Sequence, residues 1–181
     1  TNTSGTSAFT GLYTNNGNNT FTSVSGLPFN NLSGDCADWG DYNNDGYIDL
    51  LISGIIPSSS TNVTRIYKNN GDGTFTQTFE IPNYGNCRWG DYNNDGKLDF
   101  IVALGDNPST IKIFRNQGND SFLWDSGITF PQPIHCWAIE WVDFNKDGFL
   151  DVLIGGNDAS WNGQCSLYKN NGNGTFNSMT N

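Results

Sequence analysis

The stretch Trp39-Gly40-Asp41-Tyr42-Asn43-Asn44-Asp45-Gly46 returns letter for letter at Trp89–Gly96, and as Trp-Val-Asp-Phe-Asn-Lys-Asp-Gly at Trp141–Gly148. Its first aspartates fall at 41, 91 and 143, in steps of 50 and 52 residues. A second marker keeps constant order with the first. It reads Leu-Tyr-Thr-Asn-Asn-Gly-Asn-Asn-Thr-Phe at Leu12–Phe21 and recurs at Ile66–Phe75, Ile113–Phe122 and Leu167–Phe176. Two independent markers at one period identify a repeat protein, in which each unit covers its neighbour's apolar face.

Each unit reads as four short strands. The first ends at the tryptophan, as in Cys36–Asp41. The second is a near-continuous apolar run (Ile48–Ser53, Leu98–Leu104, Leu150–Ile154), a pattern suited to burial on both faces. The third alternates, as in Thr64–Tyr67, Ile111–Phe114 and Ser166–Tyr168. An Asn/Gly turn follows, whose residues tolerate positive φ, and the fourth strand starts at the Thr-Phe step. No window has helical periodicity. The expected fold is all-β: β-propeller blades, three complete and four-stranded, preceded by a half-blade hairpin. The boundaries expected within one domain (1–181) are 8–26 for the half blade and 27–80, 81–127 and 128–181 for the blades. Trp39, Trp89 and Trp141, at one frame position, are expected to pack between blades.

The stretch following each tryptophan has the form Asp-x-Asn-x-Asp-Gly-x-x-Asp. Asp41, Asn43, Asp45 and Asp49 place oxygen side chains at positions 1, 3, 5 and 9, and Tyr47 offers a carbonyl at position 7. The second loop supplies Asp91, Asn93, Asp95, Lys97 (carbonyl) and Asp99; the third supplies Asp143, Asn145, Asp147, Phe149 (carbonyl) and Asp151. Hard Ca²⁺ takes six to eight oxygen ligands, which this spacing provides, whereas Mg²⁺ demands a tighter octahedron. Nine of the 18 acidic residues occupy these positions, and three Ca²⁺ ions, one per loop, move the formal charge from -10 to -4. An EF-hand also needs a bidentate Glu at position 12, and Ile52, Val102 and Ile154 stand there instead.

These residues resemble the FG-GAP/VCBS repeats of integrin-α-type propellers, over nearly the whole chain. The resemblance implies a propeller, often seven-bladed, with Ca²⁺ held between strands one and two by the fifteen residues named above. It also implies one of several roles: adhesion receptor, lectin, secreted surface protein or part of a polysaccharide-acting enzyme. Three and a half blades leave open edges, so the chain is expected either to belong to a longer propeller or to self-associate.

The acidic balance disfavours nucleic acid and anionic membranes as partners. No stretch approaches the roughly 18 apolar residues of a membrane span, and none forms an N-terminal signal-peptide core. Sequons at Asn2, Asn18, Asn31, Asn62, Asn119 and Asn173 point to a secreted or cell-surface glycoprotein. Cys36, Cys87, Cys136 and Cys165 contain no Cys-x-x-Cys pair; they are either buried thiols or up to two disulfides, with three possible pairings.

The expected function is recognition of a glycan or extracellular protein through the loops Ile55–Asn62, Asp106–Thr110 and Asn157–Gly163, opposite the calcium loops. Trp161, unmatched in the other units, is the candidate ligand contact, or else a cap on an apolar edge. Trp124 and Trp137 are assigned to packing. A structural matrix protein is the alternative. An enzyme is not expected: His135 is the single histidine and is assigned a structural role, and Glu80, Glu140 and Asp125 are among the few acids left over.

Overall fold

The computed structural model describes residues 10–29, 31–105, 110–130, 135–158 and 160–179. Among them are fourteen strands and no helix. β1 (Tyr13–Asn15) and β2 (Phe21–Ser23) make a hairpin. Three antiparallel four-stranded sheets follow, each in chain order. The first holds β3 (Ser33–Gly40), β4 (Asp49–Ile56), β5 (Thr61–Asn69) and β6 (Phe75–Pro82). The second holds β7 (Gly85–Gly90), β8 (Asp99–Leu104), β9 (Thr110–Gly118) and β10 (Ser121–Trp124). The third holds β11 (His135–Val142), β12 (Asp151–Asn157), β13 (Gly163–Asn170) and β14 (Phe176–Ser178). These are propeller-like blades with their first strands side by side, β3 on β7 and β7 on β11, and among the described residues they do not close into a ring.

The turn chemistry follows the second marker. Asn70 N–H donates to Thr74 O at 3.0 Å, with Gly71 and Gly73 at φ +76° and +87°. The hairpin and the third blade repeat that bond at Asn16–Thr20 and Asn171–Thr175. In the second blade the turn is tighter, and Asn119 and Asp120 take positive φ themselves (+51° and +59°), as a type I′ turn requires.

The Trp-Gly step is the blade-to-blade joint. A Cβ on Gly90 would lie 2.6 Å from Trp141 Cδ1, and one on Gly40 would lie 3.0 Å from Trp89 Cδ1 and 2.6 Å from Leu98 Cδ1. Each of these tryptophans also stacks on the tyrosine two residues beyond that glycine: Tyr42–Trp89 at 5.7 Å and 9°, Tyr92–Trp141 at 6.3 Å and 11°. Gly90→Ala is therefore expected to cost about 1–3 kcal/mol, because a rigid indole cannot retreat. The urea midpoint should fall with its slope unchanged.

Two expectations need correction here. Trp39 is 46% exposed, and among the described residues its one aromatic ring contact is Phe75, at 6.4 Å. Also, the second strands are buried on both faces in β4 and β8 but not in β12. Leu153 is 39% exposed, whereas its equivalents Leu51 and Ile101 are fully buried, because no blade lies on the third sheet's outer face among the described residues. Val142 at the end of β11 and Phe144 in the loop that follows it are exposed as well.

Candidate metal centres and an exposed aromatic platform

The three loops fold alike. Asp45 N–H donates to Asp41 Oδ1 at 3.1 Å and to Asn43 Oδ1 at 3.0 Å, Gly46 N–H to Asp41 Oδ2 at 2.9 Å, and Tyr47 N–H to Asp45 Oδ1 at 3.0 Å. The same four bonds recur on Asp91, Asn93 and Asp95 and on Asp143, Asn145 and Asp147. Gly46, Gly96 and Gly148 stand at φ +88°, +82° and +88° with open space beside them, so backbone conformation rather than crowding calls for glycine. The oxygens at positions 1, 3 and 5 are thereby turned inward on one short segment in each loop.

Position 9 lies beneath, as the first residue of the second strand, and is fully buried in all three blades. Oδ1 of Asp49, Asp99 and Asp151 accepts the N–H of Asn69, Asn116 and Asn170, each at 2.8 Å. The second oxygen of Asp49 and of Asp151 accepts the amide of Tyr42 and of Phe144 at 3.2 Å. Asp99 Oδ2 is buried with the Tyr92 amide nearby but no well-formed hydrogen bond. Burial, reinforced by the other two carboxylates of the loop, pushes Asp49 up to about 6 and Asp99 up to about 7. Asp45 and Asp147 are held below the usual carboxylate range, first by the Tyr47 and Phe149 amides and then by an Asn side chain and a lysine.

Every loop keeps one ammonium on position 5: Lys68 on Asp45 at 3.3 Å, Lys97 on Asp95 at 3.6 Å and Lys169 on Asp147 at 3.3 Å. In the second blade Arg115 stands in the strand where the others have lysine, and Lys97 of the loop itself takes over. At the corresponding position 7, Tyr47 and Phe149 lay their rings over Gly71 and Gly172.

Among the described residues no three Asp, Glu, His or Cys side chains stand as a preformed metal clasp. The donor set is mixed instead: carboxylates, an Asn amide oxygen and a backbone carbonyl. All its donors are hard oxygens, and both oxygens of Asp41 and of Asp143 keep a lone pair beyond the one N–H each accepts. With the buried Asp99 Oδ2, which has no well-formed hydrogen bond, these residues fit Ca²⁺.

The loops are also tied to one another, which the loop spacing alone does not reveal. Asn44 Nδ2 donates to Gly96 O at 2.9 Å, and Asn94 Nδ2 to Gly148 O at 2.8 Å. Asn116 Nδ2 reaches back to Tyr42 O and Asn170 Nδ2 to Tyr92 O, both at 2.8 Å. The asparagine common to all four second markers (Asn15, Asn69, Asn116, Asn170) was the available signal. A hollow of about 140 Å³ between the first two loops is lined by Asn43, Asn44, Lys97, Asn116 and Asp120, among others.

At the other end of the third blade, Trp161 is 65% exposed and stacks on His135 at 4.7 Å and 20°, with Trp137 at 6.3 Å. Trp161 stands at φ +63°, held by a turn in which Asp158 Oδ1 accepts the amides of Ser160 and Asn162. The assignment of Trp137 to packing is corrected, since it is 60% exposed. Trp124, 45% exposed, is covered on one face by Lys112 Nζ at 4.5 Å from the ring centre. The candidate recognition loops are shorter than expected, because Ile55, Ile56, Asn62, Asn157 and Gly163 are paired in strands. Most of Asp106–Thr110 lies outside the described residues, as does Asn2. The sequon residues Asn18, Asn31, Asn62, Asn119 and Asn173 are all exposed. Glu80, Glu140 and Asp125 are engaged by Arg65, Arg88 and Tyr92.

No helix among the described residues is long and apolar enough to cross a membrane. A family model described as FG-GAP-like repeat matches residues 41–102 and 91–154, together more than half of the chain. No curated protein matches it.

Proposed function

The chain belongs to the FG-GAP-like repeat family, and from that premise we propose that it is a Ca²⁺-stabilised recognition module working outside the cell. The repeats make a β-propeller-like module, of a family that is typically extracellular and non-enzymatic. Three Ca²⁺ ions pin the loops between first and second strands. They do so through Asp41, Asn43, Asp45, Tyr47 and Asp49 and the matching sets Asp91–Asp99 and Asp143–Asp151. The ions hold the scaffold, and the ligand is met at the opposite end.

The observation that carries this reading is the platform of Trp161, His135 and Trp137. Large exposed aromatics grouped on one surface mark interaction sites. A tryptophan kept in the left-handed region is a strained residue, and such strain collects at functional positions. Flat aromatic faces suit the apolar face of a sugar ring, so the proposed ligand is a neutral glycan. A glycan array with wild type and Trp161→Ala tests it. Binding should fall at least tenfold in the variant, with an unchanged melting temperature because the side chain is exposed. Equal binding by both, or no glycan bound by either, overturns the reading.

A second reading, self-assembly as a surface or matrix protein, is favoured by the apolar side chains of Val142, Phe144 and Leu153, which are exposed on the third blade among the described residues. It requires a sedimentation coefficient that rises with protein concentration.

A further inference from the structure

The joint between the first two blades holds chemistry that neither ion binding nor ligand recognition uses. Cys36 on β3 and Cys87 on β7 face each other across it. Cys36 Sγ lies 3.4 Å from both the amide nitrogen and the carbonyl oxygen of Cys87, and the Cys87 thiol is within hydrogen-bond reach of it. Arg88 Nη1 stands 3.0 Å from Cys36 Sγ, held there by a further bond to Cys87 O at 2.8 Å and by Glu140 on its Nε at 2.9 Å. Cys36 is half-buried and reachable, whereas Cys87 is fully buried. Among the described residues no disulfide is formed.

We propose that Cys36 and Cys87 are a redox pair that closes into a disulfide between the first and second blades, with an oxidised low-molecular-weight thiol such as glutathione disulfide as co-reactant. The Cys36 thiolate attacks one sulfur of the incoming disulfide, forming a mixed disulfide and releasing one small thiolate, which takes up a proton. The Cys87 sulfur then gives up its proton and attacks Cys36 Sγ, releasing the second small thiol. One protein disulfide forms, the co-reactant disulfide is reduced to two thiols, and two electrons leave the protein.

The division of labour follows from the surroundings. The Cys87 thiol donating to it is the largest cause lowering Cys36; the Cys87 amide and the Arg88 guanidinium add to it, and together they overcome burial and bring Cys36 down to about 6. Cys87 is pushed well up, chiefly because it shares its proton with Cys36 and is buried. Once Cys36 is in a mixed disulfide its negative charge is gone, and the repulsion that keeps Cys87 protonated goes with it. Burial pushes Cys136 up instead, to about 11, and Cys165 is exposed.

The test uses the whole chain, reduced and then incubated with defined ratios of oxidised to reduced glutathione. Acid quenching, alkylation and non-reducing peptide mass spectrometry follow. The expected product is a Cys36–Cys87 linked peptide, with Cys136 and Cys165 alkylated. Cys36→Ser should leave Cys87 alkylatable after denaturation. Cys87→Ala should accumulate glutathione on Cys36. Arg88→Gln should slow glutathione addition to Cys36 several-fold. Closure should raise the melting temperature by roughly 5–15 °C, since the bridge shortens the unfolded chain's freedom. Wild-type protein in which both cysteines stay alkylatable, or in which Cys36 stops at the glutathione adduct, overturns the proposal. So does a link between Cys36 and Cys165.

Discussion

Excess EGTA is expected to lower the melting temperature of this protein by about 15–30 °C. At a free Ca²⁺ concentration a hundredfold above the dissociation constant, one site adds about 2.7 kcal/mol. Three loops then contribute roughly 8 kcal/mol, and each kcal/mol moves the midpoint of a chain this size by about 2–4 °C. The composition of the loops explains why so much is at stake. Each packs three carboxylates into nine residues, one of them fully buried, with a single ammonium as compensation. Asp45→Ala should reduce the calorimetric stoichiometry from three ions to two. It should also weaken the second site, because the first loop's Asn44 holds Gly96. A melt indifferent to EGTA would remove calcium from the account of this fold.

Trp89→Ala is expected to cost about 3–5 kcal/mol, whereas Trp39→Ala costs under about 1 kcal/mol. Both tryptophans open the same eight-residue marker, so the sequence assigns them one role. The structure separates them. Trp89 is buried among Tyr42, Phe100 and Phe122, each within about 6 Å ring to ring. Trp39 is nearly half in solvent. Denaturant midpoints of the two variants decide the matter. Equal losses would mean that Trp39 is covered by something that stands in for a preceding blade.

That contrast marks what a repeat pattern conveys. Period, strand order, turn chemistry and the Asp-x-Asn-x-Asp-Gly loop are local, and they are legible because each unit spells them out. Contacts between units are not written in either unit alone. The Asn44 and Asn94 bridges, the reach of Asn116 and Asn170 and the Cys36–Cys87–Arg88 cluster all join residues some fifty or more positions apart. The exposure of Leu153 depends on a neighbouring sheet, not on its own apolar run. At the platform, Trp161 drew notice as an odd residue in a loop. Its stack on His135 emerges only when β11 and the β12–β13 turn are brought together.

The glycine seat also governs how such an array can grow. Copying the second unit and inserting it behind the first would preserve every joint, because the copy brings both an indole for Gly40 and a fresh glycine for the indole that follows. Appending the same copy behind the third unit would not, because Val142 fills the seat with two methyl groups. Gene duplication in this lineage is therefore expected to copy units that carry glycine at this position, and a unit that carries valine there should not be followed directly by one opening on a seated tryptophan.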